Sequence, residues 1–445
     1  MEEITKLLEE KRINELRKKL NEMNTVDVST LLPEVYEQCG KENFLRAFRI
    51  LNKENAGEVF SFFEPEMKEK LIEHLTDKEL KCVIDELYMD DKVDLLEEMP
   101  SNVVKRILKH VKAEDRQLIN EMLKYPKDSA GSIMTTEFVD LKENMTVEEA
   151  LNKIRKIGLE KETIYYSYVL TAKRSLVGIV DLKRLVIRGK DEKLKDLMET
   201  NLIKVTTSED KENVAKLLSK YNLLAIPVVD TEDKLVGIIT VDDAIDVIQD
   251  EATEDLEKMA AMTPTDDTYF STGTLKHAKN RIVWLLVLML SATITGSIIT
   301  KYENAFAAIP LLVSFIPMIM GTGGNCGAQS STLIIRGLAT DEIELKDVLK
   351  VIWKELRVAT VVGLSLAVLD GLFMLVRYHD IKLSITLGLT LMLTVILAKL
   401  IGCCLPLLAK KLKLDPALMA SPLITTIVDT CSVLIFFSVA TAIML

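Results

Sequence analysis

The chain has 445 residues, too many for one ordinary soluble domain and enough for roughly two to four. Residues 281–445 hold 13 Lys and Arg against 10 Asp and Glu, while residues 1–280 hold 43 against 57, so the first part carries −14 of the net −11 and the second +3. That balance excludes a basic surface for nucleic acid, and six cysteines with no metal-ligand spacing exclude a disulfide framework and fit a reducing compartment.

Residues 1–128 read as consecutive short amphipathic helices, among them "PEMKEKLIEHL", "DKELKCVIDEL" and "DDKVDLLEEM". Their regular spacing predicts a small helical solenoid, an N-terminal superhelical domain of docking or regulatory type. The opening "MEEITKLLEEKRINELRKKL" is a charged amphipathic helix and not an apolar targeting segment, so residues 1–280 are expected in the cytosol.

Residues 132–248 contain an internal repeat, with copies over 134–186 and 198–248. "MTTEFVDLKENMTVEEALNKI" matches "METNLIKVTTSEDKENVAKLL", and "LVGIVDLKRLV" matches "LVGIITVDDAIDVI". Each copy reads strand, helix, strand, Gly turn, strand, helix, and the pair resembles the α/β CBS domain family. CBS pairs commonly bind adenine nucleotides. The second copy offers Thr240 and Asp243 to a ribose, whereas "GIVDLKR" in the first lacks the hydroxyl. Structural use of these groups is an equally good reading.

Residues 249–280 form an acidic connector. Asp246, Asp250, Glu251, Glu254, Asp255 and Glu257 crowd one potential helix, which repels itself unless cations screen it. It is either a solvated linker or a cation-sensing helix.

Residues 281–445 supply five apolar runs near 282–300, 305–335, 358–376, 383–409 and 418–445, each long enough for a ~30 Å hydrocarbon layer at about 1.5 Å per residue. An all-α pore domain of five membrane helices is expected. With the N-terminus inside, the inner loops hold Arg336, Lys346, Lys350, Lys354 and Arg357, then Lys410, Lys411 and Lys413. The outer loops hold Lys301, Arg377 and Lys382. The asymmetry obeys the positive-inside rule and leaves the C-terminus outside.

Two membrane segments carry the chemistry. "IPMIMGTGGNCGAQSSTLIIRGLA" sets four glycines around Asn325 and Gln329, a poor composition for an unbroken helix. Irregular backbone lining a cavity and close helix packing both explain it. "ASPLITTIVDTCSVLIFF" puts Asp429 about 16 Å into the fifth span, after Ser421, Thr425 and Thr426. A midplane carboxylate is expensive and points to function. Carbonyls, hydroxyls and one acid suit a hard cation that keeps its waters, as Mg²⁺ does.

"GTGGNCGAQSSTLIIRGLA", "LDPALMASPLITTIVD", the CBS pair, "QDEATEDLEKM" and the helical repeat, in this order, resemble the MgtE magnesium channel/transporter family over essentially the whole chain. The resemblance implies a homodimer in the plasma membrane, not an enzyme, with Asp429 of each chain holding a hydrated Mg²⁺ and the carbonyls of Gly321 and Gly324 touching its water shell. It also implies regulatory Mg²⁺ at Glu58, Asp90 and Asp94, and at Asp210, Glu212, Asp243, Asp246, Glu251, Glu254 and Asp255. Departures are Ala328 after the Asn, Ser421 before Pro422, Asn222 in place of an acid, and Cys326 and Cys431 flanking the expected pore. Thiolates there would favour softer metals. Transport of Co²⁺, Zn²⁺ or Mn²⁺, and a nucleotide-modulated membrane sensor, are the alternatives; an aspartyl protease pairing Asp429 with Asp370 lacks its motif.

Overall fold

The structure, a computed structural model, describes residues 2–265, 269–270, 272–302, 309–419 and 421–444. Positions 266–268 and 271 of the expected connector, and 305–308, 420 and 445 of the expected spans, lie outside them, as does the side chain of Ser421. The chain divides into two units, residues 1–249 and 250–445.

The first unit begins with ten helices: α1 (Glu2–Glu9), α2 (Ile13–Glu22), α3 (Thr25–Cys39), α4 (Lys41–Arg49), α5 (Lys53–Ser61), α6 (Pro65–His74), α7 (Asp77–Glu86), α8 (Met89–Glu98), α9 (Ser101–His110) and α10 (Ala113–Met122). Helix α5 packs on α7, α7 on α9 and α8 on α10, which winds the segment into the expected superhelix. α7 shows why the pattern folds this way. Thr76 accepts from the Glu79 amide while Glu79 accepts from the Thr76 amide, a capping box that fixes the start. Leu80, Val83 and Ile84 then fall on one face and are buried. Leu80 is fully enclosed, so Leu80→Ala would cost about 2–5 kcal/mol.

Two three-stranded sheets follow, each with one parallel and one antiparallel pairing: β1 (Val139–Lys142), β2 (Tyr166–Leu170) and β3 (Leu176–Asp181), then β4 (Val205–Thr206), β5 (Ala225–Val229) and β6 (Leu235–Thr240). Helices α11 (Val147–Ile157), α12 (Leu182–Ile187), α13 (Leu194–Leu197) and α14 (Lys211–Tyr221) complete the copies. Both carry the same register shift, between Val169 and Leu170 and between Val228 and Val229. The copies also exchange contacts. Met134, which opens the first, fills the space a Cβ on Gly237 would need, and Met198, which opens the second, does the same to Gly178. These two glycines are therefore required by close approach.

Helix α15 (Val241–Met259) runs without interruption from the end of β6 through the acidic stretch. The connector expected from residue 249 thus begins inside a helix, and its helical part ends at Ala260 and Ala261, the latter with φ 54°.

The second unit contains α16 (Thr274–Lys301), α17 (Ile316–Ala339), α18 (Val348–Tyr378), α19 (Ile381–Lys411) and α20 (Ser421–Met444), with 3₁₀ turns at Pro310–Phe315 and Pro416–Met419. All five are long and apolar enough to cross a membrane, and the chain is a multi-pass membrane protein. Helix α17 packs on α19 and α20, and α18 on α19; α16 rests on α20, where Thr295 and Thr430 share a hydrogen bond of 2.7 Å. Helix α18 is longer than the expected third span, so Lys350, Lys354 and Arg357, expected in a loop, sit on its first turns. They continue the helix as a polar extension beyond the apolar run.

Candidate functional site

The glycine segment forms one unbroken helix, contrary to the irregular backbone its composition allows. The reason is packing. A Cβ on Gly323 would stand 2.8 Å from Ser432 Oγ and from Thr394 Cγ2; one on Gly327 would stand 2.8 Å from Ile424 Cγ2 and 3.3 Å from the Ala398 carbonyl. One on Gly402 would strike the Gly327 carbonyl oxygen. The glycines trade helix propensity, about 1 kcal/mol each, for close contact with α19 and α20.

One face of α17 is left uncovered. Gly321, Asn325 and Gln329 recur every four residues and are all exposed, with nothing within 4 Å of the space above Gly321. Beside this face Gly324 is buried against Thr425 and Asp429. The Asp429 carboxylate is half-buried, and among the described residues no hydrogen bond or ion pair engages it. It lies eight residues into α20, roughly 12 Å from the end that Ser421 begins, and near the middle of the apolar span Pro416–Met444. The preceding residues are a 3₁₀ turn, which moves the helix start later than the apolar run suggests. Thr425 and Thr426 both donate to the Pro422 carbonyl, and Thr430 to that of Thr426.

Cys326 does not flank an open path. It is enclosed by Val395, Ala398, Ile424 and Val428, so an apolar contact and not a metal-facing thiolate accounts for it. Asp370 lies next to Gly371, which meets Ser384 near the start of α19, whereas Gly324, which meets Asp429, is one turn of α17 from Gly327, which meets α19 at Ala398. The two acids are at different levels of the bundle, which removes the paired-acid arrangement a protease needs.

A second acidic site lies in the first unit. Asp90, Asp91 and Asp94 project from α8; Asp243 and Glu162 of the strand domain lie within electrostatic reach of Asp90, Glu137 within reach of Asp91, and Asp242 within reach of Glu162, whereas Asp94 is influenced by Glu98, Asp91 and Glu97 of its own helix. Burial, then Asp243, Asp91 and Glu162, push the Asp90 carboxyl well above the usual carboxylate range. Burial, with Asp243 and Asp242 adding, raises Glu162 to about 8. Asp94 is exposed at the edge of this group, and the protein packed around it and then Glu98 raise it to about 7. Asp243 is raised to about 6 by burial, although the Thr240 hydroxyl, 2.6 Å away, donates to it. One Glu162 oxygen is buried with no hydrogen-bond partner. The nearby ammonium groups are committed elsewhere, Lys68 to Glu98 at 3.1 Å and Lys92 to Asp115 at 3.4 Å. Among the described residues, no three His, Cys, Asp or Glu side chains are close enough to hold one ion between them.

Not every expected acid joins this cluster. Glu58 on α5 borders it at Tyr88, whose phenol is pushed up by burial, then by Glu162 and Glu137, and least by Asp90 and Glu58. Asp210 caps α14 by accepting from the Glu212 amide, and Glu212 pairs with Lys216 at 2.6 Å. Asn222 ends α14 in the left-handed region at φ 52°, which explains an amide there. On α15, Glu254 pairs with Lys258, whose ammonium also bonds Asp415 at 2.7 Å and is raised by those two acids against its own burial. Asp246, Glu251 and Asp255, on the same helix, are each already engaged. Thr240 and Asp243 are bonded to each other at the start of α15, a capping arrangement that uses the pair expected to meet a ribose. Glu137, Glu162, Asp91 and Asp242 were not legible as site residues, because only folding brings these separate segments together.

Residues 316–439 match the MgtE divalent cation transporter family, residues 23–128 the MgtE intracellular N domain, and residues 130–189 and 194–250 the CBS domain. The chain is 35% identical over 452 residues to the magnesium transporter MgtE of Thermus thermophilus, covering 97% of this chain and 98% of the relative. It is 33% identical to the magnesium transporter MgtE of Bacillus subtilis, over 98% and 95%. Two solved structures also match: the cytosolic domain of the Mg²⁺ channel MgtE in complex with ATP (32% identity, TM-score 0.51, 55% of this chain and 98% of that one), and the soluble part of a magnesium transporter (30%, 0.52, 56% and 96%).

Proposed function

Because this chain belongs to the MgtE family of divalent cation transporters, we propose that it carries Mg²⁺ into the cell through its membrane helices and is shut by cytosolic Mg²⁺. Residues 1–128 are the regulatory domain, 132–248 the CBS pair, 249–280 the coupling segment and 281–445 the pore domain. The observation that carries this reading is the uncompensated Asp429 carboxylate beside Gly324 and the exposed polar face of α17. A charge and two amides cannot face lipid at low cost, so that face belongs against a second copy of the chain with a water-filled path between.

In an unbroken helix the Gly321 and Gly324 carbonyls are already bonded along the helix, and each retains one lone pair. That suits contact with the water shell of an ion and not with the bare ion. Mg²⁺ sheds water reluctantly, so a lone carboxylate per chain with weak neutral acceptors fits its chemistry. The loop charges put the N-terminus in the cytosol and the C-terminus outside. Co²⁺, Zn²⁺ and Mn²⁺ remain the competing cargo, and the burial of Cys326 argues against the softest of them.

The clustered acids of α8 and the strand domain are the sensor. Their proton affinities are raised first by burial and then by one another's charge, an electrostatic cost that a hydrated divalent ion drawn between them would relieve. An adenine nucleotide binds the CBS pair as a modulator, by likeness to the ATP-bound relative; with Thr240 and Asp243 bonded to each other, it must displace that bond or use other groups. Initial fluxes of Mg²⁺, Co²⁺, Zn²⁺ and Mn²⁺ into proteoliposomes holding the full chain test the reading. Mg²⁺ should enter fastest and stop as lumenal Mg²⁺ on the cytosolic face rises; equal entry in empty vesicles would end it.

A further inference from the structure

Lys399, Ser330 and Glu355 form a hydrogen-bonded chain inside the helix bundle. The Lys399 ammonium donates to Ser330 Oγ at 3.2 Å, the Ser330 hydroxyl donates to Glu355 Oε2 at 2.6 Å, and the two charges stand 4.0 Å apart. The residues come one each from α19, α17 and α18 and are 5%, 0% and 8% exposed. A buried ion pair adds little net stability, because desolvation offsets the attraction. Ionisable groups within membrane helices mark function by default.

These charges do not meet the ion directly, since they are enclosed while Asp429 borders the exposed face of α17. Their position suggests another role. Helix α17 contacts α19 and α20 through Gly323, Gly324 and Gly327, and glycine surfaces allow close approach but have no projecting side chain to fix the axial setting of one helix on another. Hydrogen bonds to charged groups are directional, and register is the best-attested use of buried polar groups. Ser330 lies six residues beyond Gly324 on the same helix, roughly 9 Å along its axis.

We infer that the Lys399–Ser330–Glu355 chain is a register lock: it positions α17 so that Gly321 and Gly324 face the ion beside Asp429, and thereby helps set which hydrated divalent cation is accepted. The three are positioning residues and do not touch the cargo. This rests on Asp429 being the ion site.

The test compares initial Mg²⁺ and Mn²⁺ fluxes in proteoliposomes of the full chain for Ser330→Ala, Lys399→Met and Glu355→Gln, with Asp429→Ala run beside them. Ser330→Ala removes one oxygen and no charge, and should raise the Mn²⁺ to Mg²⁺ flux ratio about tenfold. Lys399→Met should do the same, and Glu355→Gln, which keeps an acceptor for the hydroxyl, should change it by only about two- to threefold. A protein whose Ser330→Ala form passes both ions in the wild-type ratio has no such lock. Neither does one in which that variant slows both equally or fails to assemble, for then the chain serves folding alone. Mg²⁺ flux surviving in Asp429→Ala would instead overturn the ion site itself, whatever the other variants do.

Discussion

Gly324 faces the carboxylate of Asp429: a Cβ on Gly324 would stand 3.7 Å from Asp429 Oδ1 and 3.1 Å from Thr425 Cγ2. The second distance is tighter than ordinary van der Waals contact, so Gly324→Ala must push α17 away from α20 or turn Thr425. Overpacking of this kind costs about 1–3 kcal/mol, and Mg²⁺ flux should fall by about tenfold or more. Gly321→Ala meets open space and should leave the melting temperature unchanged, with a smaller loss of flux. Equal flux in Gly324→Ala and wild-type proteoliposomes would separate the glycine from the ion path.

Asp429→Ala and Asp429→Asn should both abolish Mg²⁺ uptake, because a path with only neutral oxygens gives a divalent ion no compensation for the water order it loses. No described hydrogen bond or ion pair depends on this carboxylate, so neither change should disturb folding or subunit assembly. Growth of a Mg²⁺-auxotrophic strain, with size-exclusion of the purified variants, checks both halves.

The pattern of apolar runs made the helical repeat, the doubled strand unit and the five membrane helices readable, because each obeys a short period in the sequence. Asp429 was legible for a related reason: a charge in an apolar run needs no fold to be noticed. Glu162 was not, since it follows α11 in an ordinary polar loop and acquires its neighbours Asp242 and Asp91 only through tertiary packing. Lys399 and Glu355 were missed because one lies within a long apolar run and the other looks like the edge of a charged loop; only the extra turns of α18 bring them together. The glycines misled in one respect. Their propensity argues for a broken helix, and packing against α19 and α20 overrides it.

The raised carboxylates predict an unusual pH dependence for the Mg²⁺-free protein. Glu162 at about 8, Asp94 at about 7 and Asp243 at about 6 all hold protons more tightly when folded than when unfolded. Their contribution to stability is therefore full below the ordinary carboxylate range and is lost as pH rises through about 6 to 8. In chelator, the melting temperature of the cytosolic region should fall between pH 5.5 and pH 8.5, and Mg²⁺ should restore it most at the high end, where it no longer competes with protons. Glu162→Gln should flatten the upper part of the curve. A melting temperature that rises over this interval in chelator would show that these acids are ionised and compensated already.

Feedback depends on the same cluster. If cytosolic Mg²⁺ closes the path, it must bind the closed state more tightly, and a few kcal/mol of difference shifts the population by two or more decades. Repulsion around Asp90, Glu162 and Asp243 is the energy available, since all three are half-buried, Asp243 and Glu162 raise the proton affinity of Asp90, and Asp243 raises that of Glu162. In the proposed closure, Mg²⁺ between them would remove that repulsion and draw α8 onto the strand domain, where α15 begins two residues before Asp243. Changing Asp90 and Asp243 to Asn together with Glu162 to Gln should leave a protein that conducts but no longer stops at mM internal Mg²⁺, the range expected of flexible carboxylates around a hydrated ion. Deleting residues 1–128 should do the same by removing α8 altogether. Limited proteolysis gives an independent readout: Mg²⁺ should protect the 128–134 and 262–275 segments in the wild type and not in the triple variant. If both are protected equally and both still shut at high Mg²⁺, these acids are only clustered charge, and the sensor must be sought among the carboxylates of α15.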